Sequence, residues 1–219
     1  FKSCSLQQEM KLLVIRFSAL GDVAMTIPVL ATLAQQYPQI DITVLSKPFM
    51  QPLFAKLPPN VHFREVDVKM YKGVKGLFRL FRELTEEKHY NAVADLHDVL
   101  RSKILRIFFV ATGAKVAHID KGRKEKKALT RPKHKIMKQL PSSFMRYEDV
   151  FKKLGYPVKT TFHSIFKEGK GNVFLFQQIA GTPDNKPWIG LAHFAEKKEK
   201  TLSQETIQAL IQELSAHAD

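Results

Sequence analysis

Hydrophobic and polar positions along this chain alternate between two periods. Residues 12–15 (Leu-Leu-Val-Ile) form an unbroken apolar run, short and partly β-branched, the pattern of a strand covered on both faces. From Val23 the spacing changes, and Val23, Ile27, Leu30, Ala31 and Ala34 fall on one side of a helix. Residues 39–46 hold a second apolar run, Ile42-Thr43-Val44-Leu45. Pro48 and Pro52 interrupt the next stretch, Pro58-Pro59-Asn60 read as a turn, and residues 61–66 as a short strand. Residues 72–88 predict an amphipathic helix with Leu77, Leu80, Phe81 and Leu84 inward, and residues 90–96 a strand ending in polar residues. Residues 99–110 predict a helix apolar over most of its surface, expected to pack deeply, and residues 115–119 one more strand. This alternation predicts a doubly wound, mostly parallel α/β sheet.

The pattern breaks at residues 121–138, which carry nine Lys/Arg against one Glu, together with His134. A well-marked helix comes next, with Phe144, Tyr147, Val150, Phe151 and Leu154 on one face and Gly155 and Pro157 as its stop. Residues 166–186 are rich in Gly, Pro, Asn and Lys and read as a linker, with order expected around 173–179. The strand signal restarts at residues 188–194, and a helix over 203–216 turns Ile207, Leu210, Ile211 and Leu214 to one side. The expected organisation is an N-terminal domain over 10–165, the linker, and the start of a second domain over 187–219. One strand and one helix cannot cover their own edges, so either these last residues dock onto the first domain or the sequence is a fragment of a two-domain protein, the second being the favoured expectation.

Composition narrows the partners. The net charge of +14 and a pI near 9.8 point to an anion: a phosphorylated lipid or sugar, a membrane surface, or nucleic acid. The single Cys4 excludes an internal disulfide framework and fits a reducing compartment, and no Cys/His cluster has zinc-ligand spacing. No apolar run approaches the about 20 residues of a membrane span, and residues 1–9 lack the pattern of a signal peptide. Met10 directly precedes the first strand and is expected to be the natural start. G-x-G-x-x-G and the P-loop pattern are both absent, so hydride transfer and NTP hydrolysis have no support.

The chemistry gathers where the first strand meets the first helix, at Ser18-Ala19-Leu20-Gly21-Asp22-Val23. The carboxyl end of a strand in an open α/β sheet is where ligands bind, and Asp22 there can take a proton from a bound hydroxyl. Asp is also a preferred helix N-cap, as is Ser18; the spacing leaves both roles open.

Residues 15–23, with Thr26-Ile27-Pro28-Val29-Leu30 just beyond, resemble the opening of the glycosyltransferase family 9 heptosyltransferases. Tyr90 to His97 with Leu100-Arg101-Ser102 is similar to that family's "YD-x-x-x-DL…RS" segment, Asp120-Lys121-Gly122-Arg123 to its basic loop, and residues 188–200 to the first strand and loop of its second domain. The resemblance implies a GT-B architecture of two Rossmann-like domains, the second truncated here. It implies an inverting transfer of heptose from ADP-heptose to the inner core of lipopolysaccharide, without metal or other cofactor. Asp22 then matches the general base. Ser18, Gly21, Arg101, Ser102, Lys121 and Arg123 would serve a lipid-linked acidic core oligosaccharide, and Lys200 and His193 the nucleotide-sugar. It also implies a bacterial cytoplasmic enzyme, peripheral to the inner face of the membrane. Near Lys200 the chain has Phe194-Ala195-Glu196 where some members carry hydroxyl residues.

The residues by themselves permit plainer readings. Residues 196–200 read as a solvated loop, Arg101 as a surface charge, and His97 as a satisfied neighbour of a core strand. The basic run can hold acceptor phosphates, attract an anionic leaflet, or simply be solvated. A non-catalytic domain and a basic module binding nucleic acid or other anions are the rival functions. The basic run lacks the interleaved aromatics that stack bases, so nucleic acid is the less favoured partner.

Overall fold

A computed structural model describes residues 10–166, 171–181, 189–193, 195 and 198–216. The chain divides into two units, Phe1–Lys170 and Gly171–Asp219, the division falling inside the stretch expected to be a linker.

The first unit is built on a parallel sheet of β1 (Met10–Ile15), β2 (Ile40–Ser46), β3 (Val61–Glu65), β4 (Ala92–Asp95) and β5 (Lys115–His118), in the order β3-β2-β1-β4-β5. The apolar run of β1 is continuous because both of its faces are covered. Leu12 and Val14 enter one core with α2 (Ile27–Gln36) and α6 (Ser143–Leu154). Leu13 and Ile15 enter the other, against α3 (Gly73–Glu87) and α4 (Leu100–Ala111).

The helix expected from Val23 is in fact two. A short α1 (Leu20–Ala24) ends, and α2 restarts at Ile27. Pro28 explains the break. Its ring would clash with the carbonyl four residues back in a continuous helix, whereas in the first turn its missing N–H costs nothing. The Thr26 hydroxyl donates to the Val23 carbonyl (2.7 Å) at the junction. All five apolar residues expected on the inner face are buried.

Two expectations for this unit change. The first is deep packing of α4, which buries only Ser102, Leu105 and Phe109. Leu100, Ile107 and Val110 stand 74%, 66% and 59% exposed, because the sheet and α3 cover one side of the helix and leave the other outward. The second is the basic run, which contains a helix, α5 (Arg123–Thr130), with no buried residue. A helix that buries nothing leaves no apolar periodicity to read. α6 agrees with expectation. The Ser142 hydroxyl accepts from Met145 N (3.2 Å), and Gly155 closes the other end at φ 100° in the left-handed region that glycine tolerates.

The second unit holds two short 3-10 turns (Val173–Phe176 and Lys198–Lys200), α7 (Gln177–Ala180) and α8 (Gln204–Ala216). The strand expected over 188–194 is absent at residues 189–193, while Trp188 and Phe194 lie outside the described residues. A strand needs a neighbouring backbone, and the five-stranded sheet includes none from this unit. The start of a second Rossmann-like sheet is therefore not seen among the described residues. α8 forms as expected, but Ile207, Leu210 and Leu214 are only half-buried and Ile211 is exposed.

Removing the α6 cap with Ser142→Ala should cost about 1 kcal/mol of stability, read as a shift in the urea midpoint with an unchanged slope.

Candidate functional site

Because β1 lies between β2 and β4, the sheet's winding reverses beside it. That creates a crevice at the carboxyl ends of the strands, the usual ligand position in such folds. The segments leaving β1 and β4 lie side by side there. Arg16, the first residue after β1, is buried; its Nη1 donates to Leu96 O (2.5 Å) and its Nη2 lies 2.5 Å from Asp22 Oδ2. Ser46 Oγ, at the end of β2, donates to Arg16 O (2.6 Å). The Arg16 Nε is buried with no hydrogen-bond partner among the described residues.

Asp22 does not cap the helix from the N-cap position, and neither does Ser18; Ala19 stands there and Asp22 is in the first turn of α1. Its Oδ2 reaches back to accept from Ala19 N (3.4 Å), and its carbonyl accepts from the Tyr147 hydroxyl (3.2 Å). The side chain is 48% exposed. It opens on a cleft of about 490 Å³ lined by Arg16, Lys121, Lys126, Ser142, Arg146 and Tyr147, among others.

The cleft is therefore positively charged. Lys121 donates to Asp98 O (3.2 Å), and burial lowers its pKa from the ordinary lysine value, with nearby Asp98 opposing. Arg146 donates to Asp120 O (2.9 Å) and pairs with Glu125 (3.0 Å). Gly122, at φ 60°, makes room for it, since a Cβ there would collide with the Arg146 guanidinium. Burial also raises the Tyr147 phenol above its usual value.

His97 lies beside this cluster, its Nδ1 accepting from Phe17 N (3.4 Å) and its Nε2 3.4 Å from Ser18 Oγ. Burial first, then the Arg16 and Lys121 charges, lower its pKa to about 4. It is a neutral structural histidine near pH 7. Asp95 is fully buried, its Oδ1 accepting from His97 N (2.9 Å) and Asp98 N (2.8 Å) and its Oδ2 3.2 Å from Arg106 Nη1.

Of the residues singled out from sequence, Asp22 and Lys121 share the cleft. Ser18 is not among the residues lining it and instead contacts His97, and Gly21 is exposed, with open space where a side chain would be. Arg123 lines an adjoining cavity with Asp98 and Lys121. Arg101 is exposed on the first turn of α4, and its side chain makes no hydrogen bond among the described residues. Ser102 does not line the cleft. It is fully buried, and its hydroxyl accepts from Val99 N and donates to Val99 O (3.0 Å each), closing the start of α4. His193, half-buried, and Lys200, exposed, belong to the second unit. Sequence reasoning passed over Arg16, Arg146 and Tyr147. Arg16 carried a usable signal, a charge directly after a buried strand; Tyr147 was hidden among the core positions of α6. Among the described residues, no three His, Cys, Asp or Glu side chains cluster as metal ligands would.

No protein-family model and no curated protein matches this sequence. Solved structures do. A family 9 glycosyl transferase from Veillonella parvula superposes with a TM-score of 0.63 at 20% identity, over 93% of this chain and 59% of that one. The E. coli heptosyltransferase WaaC, solved with ADP-2-deoxy-2-fluoro heptose, gives 0.62 at 20% identity over 95% and 67%. The chain has the fold of the family 9 glycosyltransferases. This chain spans 59% and 67% of the lengths of those two proteins.

The depressed His97 pKa makes this glycosyltransferase fold acid-sensitive. Unfolded histidine binds a proton near pH 6.5 and folded His97 near 4, so the unfolded state binds more protons between these values. Its contribution to stability is complete above about pH 6.5 and is lost as pH falls towards 4. Denaturant midpoints measured across this window should fall with acidification, and less steeply in His97→Gln.

Proposed function

We propose that the chain is the acceptor-side part of an inverting glycosyltransferase that moves a heptose from ADP-heptose to the inner core of lipopolysaccharide. The observation that carries this reading is a half-exposed carboxylate, Asp22, oriented by a buried arginine at the mouth of a cation-lined cleft. Arg16 and the Ala19 amide hold Oδ2, and Oδ1 has no hydrogen bond among the described residues. An acceptor hydroxyl hydrogen-bonded to Oδ1 passes its proton to Asp22 as its oxygen attacks the anomeric carbon. The new C–O bond forms on the face opposite the diphosphate, the bond to the diphosphate breaks, ADP departs and the configuration inverts. The step needs no metal and no cofactor.

Charge supports the same assignment. Lys121 and Lys126 face the cleft and Arg123 the adjoining cavity, a setting suited to the phosphates and acidic sugars of a lipid-linked core acceptor. Arg146 already has three partners and acts by fixing the loop before α5. Ser18 and Gly21 border the acceptor position, and Arg101 offers a cation on the α4 side. For the donor, the resemblance and the nucleotide-sugar held by WaaC favour phosphate contacts from Lys200 and His193, since negative charge grows on the departing diphosphate. Among the described residues no helix is long and apolar enough to cross a membrane, and the acceptor chemistry favours work at the inner face of the cytoplasmic membrane.

Asp22→Asn keeps an acceptor for Arg16 and removes the base. In the natural protein it should lower kcat for transfer from ADP-heptose at least about 100-fold with acceptor KM little changed, and it should also lower the thermal midpoint, because the buried Arg16 loses its counter-charge. Retained turnover removes Asp22 from the role of base.

A further inference from the structure

Only part of the basic stretch faces the cleft. Its distal end, residues 131–138, reads Arg-Pro-Lys-His-Lys-Ile-Met-Lys, and every one of these residues is exposed. Near its end Ile136 and Met137 stand 54% and 82% exposed. The backbone there is anchored. Ile136 N donates to Ala128 O in α5, Lys138 N donates to Ile136 O (3.1 Å each), and the Arg131 guanidinium closes onto His134 O. Arg123, Lys124, Lys127, Lys133, Lys135 and Lys138 surround this strap and its helix with exposed cations. None of these six side chains has an ion-pair partner among the described residues, because the one acid of the stretch, Glu125, is committed to Arg146.

From this combination we infer that residues 123–138 are a docking surface for an anionic phospholipid bilayer, with Ile136 and Met137 entering its interface. Basic side chains near an anionic leaflet each contribute about 1 kcal/mol, and apolar side chains among them gain by leaving water for the headgroup boundary. A purely solvated loop gives no reason to hold a methionine and an isoleucine outward together. Nucleic acid is the poorer match, since residues 121–143 contain no Phe, Tyr or Trp on which a base could stack. A second copy is disfavoured by repulsion between identical cationic faces on chains of net charge +14.

The position of the strap gives docking a use. Pro141 lines both the cleft beside Asp22 and the neighbouring apolar groove formed by Lys124, Ala128, Ile136, Leu140 and Met145. A bilayer against the strap therefore lies next to the cleft. That this delivers a lipid-linked acceptor to Asp22 rests on the proposed transferase function; the docking itself does not.

Co-sedimentation of the chain with vesicles of mixed phosphatidylglycerol and phosphatidylcholine, compared with pure phosphatidylcholine, tests the surface. Binding is expected to the mixed vesicles alone. The double variant Ile136→Ser with Met137→Ser keeps every charge and should bind about tenfold more weakly. The chain has a single tryptophan, Trp188. Met137→Trp in a Trp188→Phe background should therefore shift its emission to the blue on the mixed vesicles. Absence of binding, equal binding to both vesicle types, unchanged affinity of the serine variant or an unshifted emission would each overturn the inference. So would salt-sensitive binding to duplex DNA or RNA tighter than to vesicles. Failure here with transfer to a soluble acceptor intact removes only the docking; lost transfer in Asp22→Asn with vesicle binding intact leaves it standing.

Discussion

Arg16 leaves the central strand with its guanidinium buried beneath the crevice, and three segments converge on it. It holds the chain after β4 through Leu96 O, the start of α1 through Asp22, and the end of β2 through the Ser46 hydroxyl on its own carbonyl. A charge in that position is tolerable only while its partners remain, since removing one leaves a buried ion without compensation. The same contacts that stabilise the arginine fix the direction of the Asp22 carboxylate, so the geometry of the crevice and the stability of the strand ends share one source.

The positive charge around that centre has a second effect. Arg16, Lys121, Lys126 and Arg146 line one cleft with Asp22 as the acid among them. Such a group of like charges repels itself and is relieved by an anion. His97 registers this field: burial and the neighbouring cations keep it uncharged, so it serves the backbone of Phe17 and the Ser18 hydroxyl instead of adding to the repulsion. Neutrality at His97 and cationic character in the cleft are consequences of one arrangement.

Much of this was legible in the chain because burial on both faces leaves a simple mark. The run Leu12-Leu13-Val14-Ile15 announced the central strand, and the face of Tyr147, Val150, Phe151 and Leu154 announced α6. Legibility failed where that link between apolar pattern and burial breaks. α4 is apolar over most of its surface, yet only one side is covered, so Leu100, Ile107 and Val110 misled. α5 buries nothing and gave no helical period. For the site, a carboxylate where the first strand gives way to the first helix was legible from the change of period alone. Ser102 could not be separated from a ligand-binding serine, because a hydroxyl beside the start of a helix serves a cap or a ligand equally well. Arg146 and Tyr147 reach the cleft through the packing of α6 against the sheet, a long-range fact with no local signature.

β1 pairs with β2 and β4 in one fixed alignment, Ile15 opposite both Leu45 and Asp95. Side chains on a strand alternate between faces, so sliding β1 by a single residue would exchange the two hydrophobic cores and rotate everything downstream. Arg16 would then turn away from Leu96 and Asp22. The oil-like matching of Leu12 and Val14 to one layer, and of Leu13 and Ile15 to the other, thus acts as the ruler that sets a polar distance several ångströms beyond it. Insertions at the amino edge of the sheet can be absorbed by loops, whereas one inserted residue within β1 would misalign the crevice even if every contact in it were chemically unchanged.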